Sequence, residues 1–165
     1  MPRTPVTLIV VAVIVRGDHV KSLDRDVGGA GYVRLPFLAH ASELATLRRD
    51  VRSWLRPMGL STTTCEDLVI AVNEAASNVV EHAYDRNDIG ALTVELWCAD
   101  GAVHIVVSDH GQWSRGAAAT YRDDCRGLSM MRGLVDSVVI HTGAAGTQVV
   151  LQEPLPAWDS WQQTL

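Results

Sequence analysis

VNEAASNVVEHAY, residues 72–84, poses the problem on which the fold turns. Its valines and alanines recur at helical spacing, as on a helix that buries one stripe against a core. Asn73, Glu74, Asn78, Glu81 and His82 interrupt that pattern, and buried polar groups cost free energy unless each finds a partner. Residues three or four apart share a helix face. Glu74, Asn78 and Glu81 or His82 therefore line up on one side, and Val69, Val72, Ala76, Val79 or Val80, and Ala83 on the other. The apolar side can pack on a sheet, so the polar side must face solvent or a cavity. An acid and an amide one turn apart can hold a hydrated divalent cation, because hard cations take oxygen ligands. A carboxylate there can also accept a proton from an attacking hydroxyl. Spacing alone fits a solvated face with two acids equally well.

Upstream, Thr63-Thr64-Cys65-Glu66 fits the capping-box pattern, in which a hydroxyl and a carboxylate satisfy free N–H groups at a helix start. This predicts a helix from about 64 to 84. Leu44, Leu47, Val51 and Leu55, with Arg48, Arg49, Asp50 and Arg52 opposite, predict an amphipathic helix over 41–56, ended by Pro57 and Gly59. YVRLPF (32–37) is a candidate strand stopped by Pro36. Downstream, LTVELWC (92–98) and VHIVVS (103–108) alternate at period two around Asp100-Gly101, a tight-turn signal. Residues 109–126 lose all periodicity, and a connection that long usually has a function. GLSMMRGLVD (127–136) returns to helical spacing, and VVIHT (138–142) and TQVVLQ (147–152) form a second hairpin. The order predicts an α+β fold: a two-layer sandwich, mostly antiparallel sheet, with helices on one face.

The 165 residues are the length of one ordinary domain. The expected division is an extension or linker over 1–31, the domain over 32–153 and a tail over 154–165 that carries Trp158 and Trp161. VTLIVVAVIV (6–15) is ten apolar residues, short of the about 18 that a membrane helix needs. No small-residue cleavage site follows it, and its β-branched content favours an extra strand. The net charge of −5 and scattered basic residues disfavour direct nucleic-acid binding. Cys65, Cys98 and Cys125 are odd in number and far apart, which argues against a disulfide framework or thiolate zinc site and for a reducing cytoplasm.

Three further motifs follow the helix in a fixed order. Asp109-His110-Gly111 ends a strand, where an acid can accept from an amino group and a glycine lets a ligand approach the backbone. Arg126-Gly127-Leu128 opens a helix, whose unpaired N–H groups favour anions. Gly146-Thr147 begins the last strand. Each alone is a common turn or cap. As an ordered set, NEAASNVVEHAY, SDHGQW, RGLSMMRGLVD and GTQVVL, with LRRDVRSWL before them, resemble the Bergerat-fold ATPases over about residues 32–152. The resemblance is nearest to the anti-sigma-factor serine kinases of the RsbW type, relatives of histidine-kinase ATPase domains.

That resemblance implies ATP and Mg²⁺ as cofactors. Asn78 would coordinate the Mg²⁺ that bridges the phosphates, with His82 as its neighbour at the nucleotide site. Glu74 would be the general base or would orient the incoming hydroxyl. Asp109 would read the exocyclic amino group of adenine, with Gly111 making room and Thr147 bonding alongside. Arg126, Gly127 and Leu128 would lie against the phosphates, and residues 112–126 would be the ATP lid. Many relatives carry a second glycine where Trp113 stands, and often a glycine near the place of Cys125. The implied partners are a sigma factor, held inactive, and a small STAS-type antagonist phosphorylated on serine. The implied setting is cytoplasmic, without membrane, and admits a homodimer. A non-catalytic ATP- or ADP-dependent binding module is the alternative. A detached histidine-kinase domain fits less well, since residues 1–40 are too short and β-rich for a dimerising helical hairpin.

Overall fold

Two alternating runs around one tight turn organise the sheet. The structure is a computed structural model and describes residues 9–11, 32–85, 88–111 and 125–156. In chain order its elements are β1 (Ile9–Val11), β2 (Val33–Leu38), α1 (Leu44–Leu55), α2 (Thr62–His82), β3 (Ala91–Ala99), β4 (Ala102–Asp109), α3 (Cys125–Leu134), β5 (Ser137–Gly143) and β6 (Gly146–Pro154). The β3–β4 turn works because Asp100 and Gly101 both adopt positive φ, 50° and 73°. That is the backbone twist a two-residue hairpin needs.

The strands form one antiparallel sheet in the order β1-β5-β6-β4-β3-β2. β1 falls within the apolar run 6–15 and pairs Val10 with His141. Strand alternation sends Val94, Leu96, Ile105, Val107, Val149 and Leu151 to the helix-covered face, where they join Leu47, Val51, Leu55, Leu68, Val72 and Met131 in the core. On the other face Trp97 stacks on His104, with centroids 5.2 Å apart and planes within 7°. The two-layer α+β architecture is thus the one expected. Among the described residues no helix is long and apolar enough to cross a membrane.

Three local expectations need correction. Pro36 lies inside β2, opposite Thr93, and does not stop it. β2 is an edge strand, where a missing N–H need not break the ladder. The predicted 41–56 helix is α-helical over 44–55, with 3₁₀ turns at 41–43 and at 56–58, the second containing Pro57. The α2 cap is not a Thr-Glu box. Ser61 precedes the helix with extended backbone, and its hydroxyl accepts from the Thr64 N–H at 3.0 Å.

Glu66 has another partner. The Arg52 guanidinium grips both its oxygens, at 2.7 and 2.8 Å, and so ties α1 to α2. Arg48 makes a second tie by donating to Asn73 Oδ1 at 2.7 Å. This explains one polar residue of the 72–84 stretch without any ligand. β1, within the expected 1–31 extension, pairs with β5 and so belongs to the same sheet as the strands of the expected 32–153 domain. Trp113, most of the expected lid (112–124) and the Trp158/Trp161 tail lie outside the described residues.

The paired hydrogen bonds from Arg52, reinforced by its charge, hold the Glu66 carboxyl below its ordinary range, against a smaller upward push from desolvation. A depressed acid pKa contributes stability above the unfolded value, and that contribution fades as pH falls through the folded value. On acidification below about 4.5, the ordinary value for this group, wild type should therefore lose its melting-temperature advantage over Glu66→Gln. The advantage should also shrink in high salt, because the pair is solvent-accessible. Parallel melting curves for the two proteins from neutral pH to pH 3 would show that the bridge adds nothing.

Candidate functional site

The floor of the site comes from three strands. Thr142 on β5 pairs with Thr147 on β6. Ser108 on β4 pairs with Gln148, so the same register continued by one residue sets Asp109 level with Thr147. Two hydroxyls and a carboxylate thus stand in a row across β5, β6 and β4, on the side that faces the helices. Asp109 is 2% exposed and Thr147 4%. Such groups reach a buried position only when something there uses their hydrogen bonds.

Above this row, α2 and α3 enclose a cleft of about 590 Å³, open mouth included, lined by Ala75, Asn78, Val79, Val107, Asp109, Leu128, Met131, Ile140, Thr142, Thr147 and Val149. Most of the wall is aliphatic, and the few polar groups converge at the floor and at Asn78. A flat heteroaromatic ligand with polar edges suits such a cavity. The carboxylate of Asp109 can accept N–H donors. Its Oδ1 accepts from the Gly111 N–H at 2.9 Å, which ties its orientation to the path of the chain beyond β4.

Glu74 stands one turn before Asn78 on α2, about 6 Å along the axis, and is not among the residues lining the cleft. Its neighbour is the first turn of α3: a Cβ added at Gly127 would collide with the Glu74 carboxylate. Glycine there leaves the Glu74 carboxylate the place it occupies against the start of α3. Free N–H groups at a helix start and the positive end of its dipole favour negative charge nearby.

The remaining sequence-predicted residues sort as follows. Asn78, Asp109, Leu128 and Thr147 are brought together in the cleft, with Gly111 beside Asp109. Arg126 belongs to the first turn of α3, and its side chain, like that of Cys125, lies outside the described residues. His82 is not brought into the cleft. It is the last residue of α2, a turn beyond Asn78, with its Nε2 3.6 Å from Glu81. Sequence reasoning missed Thr142, Met131 and Ile140. For Thr142 a signal existed: the second hairpin, once its register is set, puts it opposite Thr147.

Among the described residues, no three His, Cys, Asp or Glu side chains gather to hold a metal unaided. The Asn78 amide oxygen at the cleft wall suits a hard cation that draws the rest of its shell from a ligand and water.

Comparison with known proteins gives the chain a family. A model of the histidine kinase-like ATPase domain matches residues 37–152. The serine-protein kinase RsbW of Bacillus mycoides is 30% identical over 79 residues, 48% of this chain and 49% of that protein. This chain thus spans about half of that relative's length. RsbW of Staphylococcus epidermidis is 27% identical over 125 residues, 67% of this chain and 79% of that protein. A crystal structure of the RsbU and RsbW domains of a Mycobacterium tuberculosis protein superposes with a TM-score of 0.62 at 31% identity, covering 75% of this chain and 32% of the other. The histidine kinase domain of a blue-light-activated kinase from Erythrobacter litoralis, 19% identical with a TM-score of 0.51, shares the fold. The sandwich, the cleft between α2 and α3 and the match across 37–152 agree, and the chain belongs to the histidine kinase-like ATPase domain family.

Proposed function

We propose that this chain binds Mg-ATP in the α2–α3 cleft and phosphorylates a serine on an anti-sigma-factor antagonist, while its other partner is a sigma factor that it sequesters in the cytoplasm. The observation that carries the nucleotide reading is the buried Asp109 carboxylate, level with Thr147 at the floor of an otherwise aliphatic cleft. The RsbW names of the relatives support the kinase reading and the choice of partners.

Asp109 accepts the exocyclic amino N–H of adenine, and Thr147 adds a hydroxyl beside it. Ala75, Val79, Val107 and Met131 flank the base and keep water from its faces. The phosphates run toward the first turn of α3, where backbone N–H groups at Arg126, Gly127 and Leu128 neutralise charge. Asn78 would hold Mg²⁺ through its amide oxygen, and the ion would supply charge neutralisation for the transfer. Glu74 accepts the proton of the incoming serine hydroxyl. The serine oxygen then bonds to the γ-phosphorus as the bond to the β-phosphate oxygen breaks and ADP leaves. Phosphoryl transfer asks mainly for positioning and charge neutralisation, which this arrangement supplies without a covalent group from the protein.

Mg-ATP at 100 times its dissociation constant should stabilise wild type by about 2.7 kcal/mol. Asn78→Ala should lose most of that stabilisation at the same ligand concentration, with a smaller difference when Mg²⁺ is chelated. Equal thermal shifts for the two proteins would remove Asn78 from the site and the central assignment with it.

Glu74→Gln keeps the shape of the side chain and removes the base. Its transfer rate to an antagonist protein, followed by the mass of the phosphorylated product, should fall by about 10²–10⁴ with ATP affinity nearly unchanged. If wild type binds ATP and transfers nothing to any cognate antagonist, a nucleotide-dependent binding module is the better description.

Gly127→Ala should push the Glu74 carboxylate aside. The expected outcome is a tenfold or greater fall in transfer rate, about 1.4 kcal/mol of barrier, without removing either side chain at the reacting atoms. An unchanged rate would mean that α3 and Glu74 are not coupled.

A further inference from the structure

The short path from Asp109 to Gly111 is held from two sides. On one side is Tyr84, two residues past the end of α2. Its hydroxyl donates to the Ala91 carbonyl at 2.6 Å and accepts from the His110 N–H at 3.2 Å. One oxygen thereby bridges the start of β3 and the chain leaving β4. The ring has its place because residue 90 is glycine, where an added Cβ would meet the ring itself. Gly111 fits as tightly, since a Cβ there would collide with the Ala83 carbonyl.

On the other side is the β5–β6 turn. His110 Nδ1 lies 3.2 Å from the Ala145 carbonyl. Gly146, at φ +116°, presses on the Asp109 carbonyl and the His110 Cα, so a Cβ there would overlap both. Gly90 against the Tyr84 ring, Gly111 against Ala83 and Gly146 against Asp109 and His110 leave this segment little slack. What it fixes is the Gly111 N–H, which donates to Asp109 Oδ1 at 2.9 Å. The orientation of the carboxylate is thus set through a chain of contacts that starts at Tyr84.

We propose that Tyr84 is a positioning residue for base recognition. By bridging Ala91 and His110, it holds the Asp109 carboxylate in the orientation that accepts an amino N–H and rejects a carbonyl, and so it sets the preference for 6-aminopurine over 6-oxopurine nucleotides. The inference rests on the proposed nucleotide site. Tyr84 acts through Asp109 and not by touching the ligand. A carboxylate held rigidly meets an amino group as an acceptor meeting a donor, and an oxo group as two acceptors facing each other. A carboxylate free to turn away tolerates both. Sites built around a hydrogen bond discriminate strongly because the wrong ligand leaves buried polar groups unmatched.

The test is titration calorimetry of the full chain with Mg-ATP and Mg-ITP. Wild type should prefer ATP by 100-fold or more. Tyr84→Phe keeps the ring on Gly90 and removes the bridging hydroxyl. It should cut the ATP/ITP ratio by at least tenfold, as ATP loses a held acceptor and ITP escapes the facing of two acceptors. Gly90→Ala displaces the ring while leaving Tyr84 in place, and should cut the ratio the same way. A residue that merely supports the fold would weaken both nucleotides together, so an unchanged ratio in Tyr84→Phe overturns the proposal. If Tyr84→Phe does not fold, an unchanged ratio in Gly90→Ala overturns it instead. Wild type that binds neither nucleotide refutes the site itself, a result distinct from a wild type that discriminates and a variant that discriminates equally well.

Discussion

The distance between α2 and the sheet governs everything else in this protein. Ala71, Ala75 and Ala76 are at most 1% exposed, and with side chains this small the helix settles close to β4. The core needs that closeness, because Leu68, Val72 and Val79 must reach the sheet residues beneath them. The cleft needs it too, since Ala75 and Val79 are also part of its wall. One helix face therefore closes the core along much of its length and borders the cleft where α3 stands opposite. A larger side chain at Ala75 would fill that gap before it met the sheet, and overpacking of this kind is strongly felt in interiors packed to crystal density.

The polar residues that made 72–84 puzzling have several explanations. Asn73 serves α1 through Arg48. Glu74 meets the start of α3. Asn78 enters the cleft. Glu81 and His82 lie at the end of the helix, near each other. Successive positions turn by about 100°, so a polar stripe only two turns long already addresses three different neighbours. Grouping Glu74 and Asn78 on one face was correct as helix geometry, yet their surroundings differ: Glu74 meets Gly127 at the start of α3, whereas Asn78 lines the cleft together with Leu128 and Met131.

Where local chemistry decides, the sequence was legible. Both hairpins, the helical runs and the α+β layering follow from periodicity and turn residues, since the alternating faces and the Asp100–Gly101 turn need no distant partner. What misled was competition from tertiary contacts. Glu66 satisfies a capping pattern on paper, but Arg52 on a neighbouring helix offers it two charged hydrogen bonds, leaving the cap to Ser61. Pro36 reads as a terminator until the strand is known to lie at the edge. The candidate site was legible in part. Asp109 and Thr147 announce themselves as polar residues at strand ends, whereas Met131 and Ile140 are indistinguishable from core until the cleft between the helices is seen. Tyr84 and its glycines carry no pattern at all, because their tightness is a property of packing.

Pro36 has a consequence for the company this chain can keep. The rim of a sheet is ordinarily a template on which another extended segment can lay itself down, one amide at a time. β2 forms such a rim, and an imino acid at its middle removes one rung from any ladder attempted there. Assembly by lengthening the sheet is thus discouraged at this end. The same residue that looked like a full stop in the sequence acts as a guard against indiscriminate self-association.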